Sequence, residues 1–313
     1  MGAVDNEAQE RAAGSQYYLL GFNIKGSFSP LLHNTGFKLL GLPYTYDLFE
    51  VPHVDESVEK LLQDPKVGGF SVTAPHKLEV GRFMDDISDE ARTMGSVNTI
   101  VATNPSDGSQ RRLYGDNTDW LGITRCIQGG KIDLDESGTT AVVLGAGGAA
   151  RAAVYAFIKL GIHNIIVVNR TLERAQELAA SFPSHNIEVV HSLLAFRDRS
   201  NNHILKVSVI VGCLPAHVLT EFDVPDWLFP NVQKGVLVEM AYGRRTAITE
   251  KALAASNWTV FDGIDVLQQQ AFGQFEAWTG QTAPKMEMMD AVNKALGRTL
   301  NPAFAEDHTC KDH

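Results

Sequence analysis

Between Ala141 and Gly161 the chain reads AVVLGAGGAARAAVYAFIKLG: an apolar, β-branched run stops in a glycine-rich turn and restarts as an alanine-rich helix. No other feature restricts the fold as strongly. A strand that feeds a helix across so short a turn opens a βαβ unit, and its next strand must lie parallel to the first. NIIVVNRT (164–171) supplies that strand, and IEVV (187–190), VSVIVGC (207–213) and GVLVEMAY (235–242) extend the series. A doubly wound parallel sheet is therefore expected, beginning after the turn cluster ESGTT (136–140).

The turn GAGGAA (145–150) has the strand-before, helix-after setting that a dinucleotide fingerprint needs. Gly145 permits the tight turn, Gly147 lets the backbone approach a pyrophosphate, and Ala150 allows close strand–helix packing, while the helix N-terminus supplies N–H donors. Ala146, Gly148 and Ala149 complete the candidate contacts. The motif alone also fits a tight turn without a ligand. The next strand ends Asn169-Arg170-Thr171, with Arg174 following, where NAD-binding units commonly place a carboxylate for the ribose 2′-OH. Two guanidiniums suit a 2′-phosphate instead, and one charge-assisted contact gives about 10- to 150-fold preference. The pattern favours NADP, with NAD the alternative. Two solvated arginines are the plain competing explanation.

The first half of the chain alternates in the same way. YYLLGF (17–22), TYDLFEV (45–51) and GGFSVT (68–73) read as strands, separated by helices over PLLHNTGFKLLG (30–41) and DESVEKLLQD (55–64). A further helical stretch lies near 87–94, and NTIVAT (98–103) and RRLYGDNTD (111–119) read as strands joined into a hairpin by NPSDG (104–108). DVLQQQAFGQFEAWTG (265–280) is strongly helical, with Leu267, Ala271, Phe275 and Trp278 forming an apolar stripe beside Gln270. An amide buried there needs hydrogen-bond partners, which a polyol can supply; a surface amide is the alternative. The expected class is α/β with two domains, an N-terminal unit with a mainly parallel sheet and a Rossmann-type unit.

A chain of 313 residues is long enough for two such domains, and a net charge of -10 argues against a nucleic-acid or anionic-membrane binder. Cys126, Cys213 and Cys310 form no CxxC pair, and His33 and His76 belong to no cluster with ligand spacing, so neither a disulfide framework nor a metal is expected. No apolar stretch is long enough to span a membrane, and residues 1–16 lack a signal-peptide layout and read as a disordered tail. A cytosolic location follows as an expectation.

In SVTAPHK (71–77) a single lysine, Lys77, follows a proline. Taken alone it is a solvated turn residue. Its company changes that. GSFSPLLHN (26–34), SVTAPHK, GSVNT (95–99), GDNTDWLG (115–122), GAGGAA, NRTLER (169–174) and DGIDVLQQQAFGQFEAWTG (262–280) occur in this order along the chain. From about Tyr17 to Leu300 the sequence thereby resembles the shikimate/quinate dehydrogenase family. That resemblance implies a substrate domain over 17–125 with 268–300, an NADP-binding Rossmann domain over 126–267, and a C-terminal tail over 301–313.

It also implies roles. Lys77 and Asp119 match the catalytic pair. Ser27 and Ser29 match residues that hold the substrate carboxylate, although two hydroxyls before Pro30 also make a plain local turn. Thr73, Asn98 and Gln270 match positions that bind substrate hydroxyls, Tyr242 one that lines the pocket, and Gly263 one at the cofactor. Oxidising a secondary alcohol requires its hydroxyl proton to leave as hydride moves to nicotinamide, and in reverse an ammonium can protonate the ketone. Three positions depart from the common family pattern: Gly26 replaces a frequent His, Phe28 stands between the serines, and Trp120 replaces a frequent Gly. All flank the ring pocket and bear on substrate choice. Ser29 leans towards shikimate, since Thr there goes with quinate tolerance in some members. The expected activity is NADP-dependent interconversion of shikimate and 3-dehydroshikimate by a monomer or homodimer. The alternatives are an NAD-dependent quinate dehydrogenase and a non-catalytic sensor of the same fold.

Overall fold

A computed structural model describes residues 15–104, 110–134, 138–195, 207–229, 234–243 and 245–305. The described chain divides into two units, one built from the chain up to Thr118 together with Gln270–Ala305, the other from Asp119–Gln269.

The first unit carries β1 (Gln16–Gly21), α1 (Ser29–Leu39), β2 (Thr45–Glu50), α2 (Glu56–Leu62), β3 (Val67–Val72), β4 (Asp86–Ile87), α3 (Asp89–Met94), β5 (Thr99–Thr103) and β6 (Arg112–Asp116). Local chemistry sets several boundaries. Pro30 opens α1 with its φ already fixed, and Gly41 takes φ +64 just beyond its end. Asp55 caps α2 by accepting from the Ser57 N–H at 2.9 Å, and Ser88 caps α3 through the Ala91 N–H at 3.0 Å. The sheet runs β2-β1-β3-β5-β6-β4. β1 is parallel to β2 and β3, β4 is parallel to β6, and β5 is antiparallel to both its neighbours.

An aromatic core lies under this sheet. The buried Tyr17, Phe37, Phe275 and Trp278 pack ring on ring, with Tyr17 and Trp278 centroids 5.0 Å apart. The indole Nε1 of Trp278 donates to the Ile100 carbonyl at 3.0 Å. That docking explains Gly69, because a Cβ there would lie 2.5 Å from the indole nitrogen and against the Ile100 carbonyl oxygen.

The second unit comprises α4 (Asp119–Gly129), β7 (Thr140–Leu144), α5 (Gly148–Lys159), β8 (Asn164–Val168), α6 (Leu172–Ala180), β9 (Ile187–Val190), β10 (Val207–Gly212), β11 (Gly235–Glu239), α7 (Ala247–Ala254) and β12 (Trp258–Phe261). Every pairing in its sheet is parallel, in the order β12-β11-β10-β7-β8-β9. The strand order reverses between β7 and β10, the crevice where doubly wound sheets bind ligands. α8 (Gly263–Thr279) begins in this unit and continues into the first, where α9 (Lys285–Ala295) packs on α1.

One reading needs correction. The run 111–119 is not all strand: β6 ends at Asp116 and Asp119 already starts α4. The two units part at Thr118 and Gln270, with the expected domain bounds at 125 and 268. β12 and the two-residue β4 went unread. The proposed turn NPSDG, the first two residues of ESGTT, the first fourteen residues of the N-terminal tail, and the last eight residues with Cys310 lie wholly or partly outside the described residues.

Candidate active site

β1, β2 and β3 are parallel and β5 runs against them, so the carboxyl ends of the first three and the start of the fourth share one edge. The candidate residues of the first unit gather there. Ser27 and Ser29 follow β1. The Ser27 hydroxyl donates to that of Ser29 at 3.1 Å and accepts from the Ser29 N–H at 3.2 Å, so the local-turn role is real. Ser29 is buried and Ser27 half-buried.

β3 delivers Thr73 and Lys77. The Thr73 N–H donates to the Leu20 carbonyl at 2.9 Å, and its own carbonyl accepts from the His76 N–H at 3.0 Å. The Ala74–Pro75 peptide is cis, and residues His76–Leu78 form a 3₁₀ turn. The His76 ring pairs with the Val51 carbonyl at 2.9 Å, which gives this buried histidine a hydrogen-bond partner. Lys77 is half-buried, and its carbonyl accepts from the Val97 N–H at 2.8 Å, which ties the turn to the strand entrance bearing Asn98.

Asn98 is 2 % exposed and Gln270 7 %. The Asn98 amide donates to Gln270 Oε1 at 3.1 Å, and the Thr118 hydroxyl donates to the same oxygen at 2.8 Å. Gln270 is therefore a buried, partnered amide rather than a surface one. Gln274, on the same face of α8 one turn later, was missed. It is 1 % exposed, accepts from the Ser71 hydroxyl at 2.8 Å, and donates to the Asn98 carbonyl and the Thr99 hydroxyl, each at 3.1 Å. The only signal for it in the sequence was the four-residue spacing of two glutamines along one helix face.

His33 also lies in this unit, fully buried, stacked on Tyr46 at 4.6 Å and close to Phe275 and Trp278. Burial pushes its imidazole down to about 3. The neighbouring Gln274 amide offsets this only in part, and neither ring nitrogen reaches hydrogen-bond geometry with it.

Asp119 and Tyr242 belong to the second unit. Asp119, 4 % exposed, is the first residue of α4, directly after Thr118 in the chain. Trp120 packs edge-on against Tyr155 at 5.3 Å. Tyr242 is partly exposed beyond β11, next to Gly243 at φ +85. Gly263 has no room for a side chain: a Cβ would press on the Met240 carbonyl and lie 2.8 Å from the Tyr242 ring.

At the crossover point, Gly145 has φ +114, and a Cβ on it would approach the Cys213 carbonyl oxygen to 3.1 Å. Gly147 caps α5, and a Cβ there would meet nothing within 4 Å, which leaves open space above the helix N-terminus. Ala146, Gly148 and Ala149 are half-buried around it, and Ala150 is fully buried against the sheet. A pocket of about 610 Å³ at the ends of β7 and β8 is lined by Leu144, Arg170, Arg174, His191, Ser192 and Leu214 among others. Asn169 donates to the Thr171 carbonyl at 2.7 Å and shapes its rim. Among the described residues neither arginine makes an ion pair. An anionic dinucleotide fits this set: free N–H groups, room at Gly147, and two guanidiniums.

Glu239, at the carboxyl end of β11, is 4 % exposed, and burial pushes its carboxyl up to about 7. It accepts from the Ala241 N–H at 3.1 Å and the Thr246 hydroxyl at 2.9 Å. It was not read from the sequence.

A family model for the shikimate dehydrogenase substrate binding domain matches residues 19–100, and one for shikimate / quinate 5-dehydrogenase matches residues 130–262. The pentafunctional AROM polypeptide of Schizosaccharomyces japonicus is 40% identical over 280 residues, which cover 86% of this chain but 17% of that one. The quinate repressor protein of Emericella nidulans is 32% identical over 326 residues, covering 91% and 36%. Both curated relatives are thus much longer than this chain. Among solved structures, shikimate dehydrogenase from Aquifex aeolicus is 31% identical at a TM-score of 0.72, covering 89% of this chain and 97% of that one. The Thermus thermophilus enzyme in complex with NADP(H) and shikimate is 29% identical at a TM-score of 0.72, covering 90% and 99%. With both family models matched and near-complete coverage of a relative above 30% identity, the chain belongs to the shikimate/quinate dehydrogenase family.

Proposed function

We propose that this protein is an NADP-dependent dehydrogenase that interconverts shikimate and 3-dehydroshikimate. The observation that carries the reading is the gathering of Ser27, Ser29, Thr73, Lys77, Asn98 and Gln270 at one edge of one sheet, although Asn98 and Gln270 stand 172 residues apart in sequence. Hydroxyl and amide groups suited to a polyhydroxylated acid stand there with the Lys77 ammonium.

The Ser27 and Ser29 hydroxyls bind the carboxylate. Thr73, Asn98 and Gln270 hold the ring hydroxyls and so orient the carbon to be oxidised. Lys77 takes the proton from that carbon's oxygen in the oxidising direction and returns it when the ketone is reduced; Asp119 shares the proton handling. The residues from Gly145 to Ala149 would hold the pyrophosphate, and Arg170 and Arg174 the 2′-phosphate. When bound, the nicotinamide accepts or gives up the hydride. A cytosolic location and a monomer or homodimer belong to the same reading.

The deciding experiment measures initial rates with shikimate and with quinate, each against NADP and NAD. Dominance of shikimate with NADP supports the proposal. Dominance of quinate with NAD would keep the proton chemistry and overturn both specificity assignments. A second reading, a ligand sensor without turnover, is favoured by the similarity to the quinate repressor protein. The presence of both Lys77 and Asp119 weighs against it, and calorimetric binding of either acid with no NAD(P)H formation would establish it.

A further inference from the structure

The buried hydrogen bonds around Asn98 run in one direction only. Two groups have a polarity that no side-chain rotation can change. The Thr118 backbone N–H can only donate, and it points at Asn98 Oδ1 at 2.8 Å. The Asn98 backbone carbonyl can only accept, and it faces Gln274 Nε2 at 3.1 Å. The amides between these anchors are then determined, while the Thr118 hydroxyl lies within reach of Asn98 Oδ1 at 3.3 Å and closer to Gln270 Oε1 at 2.8 Å. With Oδ1 fixed as the acceptor, Asn98 presents its NH2 group to Gln270 Oε1 and the Thr118 oxygen, each at 3.1 Å. With its nitrogen fixed, Gln274 donates to the Thr99 hydroxyl, which must donate onward to Asn98 Oδ1 at 2.6 Å. The Ser71 hydroxyl completes the order by donating to Gln274 Oε1 at 2.8 Å.

Gln270 Oε1 therefore takes two donors, from Asn98 and from Thr118. Among the described hydrogen bonds, none uses the Gln270 NH2 group. We propose that Gln274 is a positioning residue: through Thr99 it works with the Thr118 N–H to hold the Asn98 amide, and thereby Gln270, with the Gln270 NH2 group, not its carbonyl, turned to the substrate, so that the hydroxyl met there is read as an acceptor. This rests on the reading that the first unit binds a polyhydroxylated acid. The chain of inference needs no contact between Gln274 and substrate. Ser71, Asn98, Thr99, Thr118 and Gln274 are all buried, and water cannot easily replace a missing member.

Gln274→Met keeps the length of the side chain and removes both donors and the acceptor. The expected result is a shikimate KM raised about three- to tenfold, the effect of one net hydrogen bond, with kcat and the NADP KM within about twofold. The readout specific to positioning is the double-mutant cycle with Gln270→Ala: once Gln270 is gone, Gln274→Met should raise the shikimate KM by less than it does alone, retaining only what passes through Asn98 itself. Additive effects would overturn the proposal and leave Gln274 as a packing residue. Should Gln274→Met fail to fold, Thr99 decides: Thr99→Ser keeps the relay hydroxyl and should keep the KM, whereas Thr99→Val should raise it like Gln274→Met. Equal KM values for the two Thr99 variants would refute the relay. If wild-type protein turns over neither acid, the functional reading fails; if it is active while the cycle is additive, only the relay fails.

Discussion

His33 offers a test of core electrostatics that does not depend on catalysis. It is fully buried among Tyr46, Phe275 and Trp278, makes no hydrogen bond through either ring nitrogen, and has its imidazole pushed down to about 3 from 6.5. A histidine whose folded value is lowered binds its proton more readily in the unfolded chain, so stability falls as pH drops below 6.5 and continues to fall until about 3. At pH 7 the loss is only a few tenths of a kcal/mol; at pH 5 the unfolded chain is mostly protonated here and the loss reaches about 2 kcal/mol. His33→Phe preserves an aromatic ring in an aromatic cage and sacrifices no hydrogen bond. Urea unfolding of both proteins at pH 7 and pH 5 measures the difference directly. The variant should lose about 2 kcal/mol less than wild type between these two pH values. Identical pH dependence would refute the reasoning and mean that the ring takes up its proton as readily in the folded protein as in the unfolded chain.

Other expectations follow from the same geometry. Glu239→Gln should show the opposite pH trend: a carboxyl raised to about 7 gives stability that is present below its ordinary value of 4.5 and lost as pH climbs towards 7. The melting temperature of wild type should therefore fall relative to the variant over that interval, and a parallel pair of curves would count against a buried neutral carboxyl. Gly69→Ala places a methyl against the Ile100 carbonyl and 2.5 Å from the Trp278 indole nitrogen, so chemical denaturation should register a loss of about 1–3 kcal/mol; no loss would show that Trp278 can move. Lys77→Met should lower kcat roughly 10²–10⁴-fold with an unchanged melting temperature and cofactor affinity, and near-wild-type turnover would remove the lysine from the mechanism. Arg170→Ala should weaken NADP more than NAD in fluorescence titrations, whereas equal weakening would mean that the arginine does not read the 2′-phosphate.

Short-range chemistry made much of this protein legible in its sequence. β-branched runs, Asp55 as an N-cap, Gly41 beyond a helix end and GAGGAA between strand and helix all act through backbone sterics and hydrogen bonds over a few residues, so the strings themselves announced them. The parallel second sheet followed from the right-handed βαβ connection that such strings force. β12 and β4 escaped because four and two residues carry too little periodicity to be told from loop. The start of α4 at Asp119 escaped because an extended run before it shows no break at Asp116.

The sequence by itself determined the layered α/β architecture, the family, and which residue types stand where substrate and cofactor are read. Only the tertiary structure decided which polar groups meet. The Asn98–Gln270 hydrogen bond spans 172 residues, and Gln274 reaches Ser71 across 203. A glutamine on a helix is locally the same residue whether its amide faces water or a buried carbonyl; its role is assigned when a distant strand brings Ser71, Asn98 and Thr99 against it and excludes the water that would otherwise satisfy it.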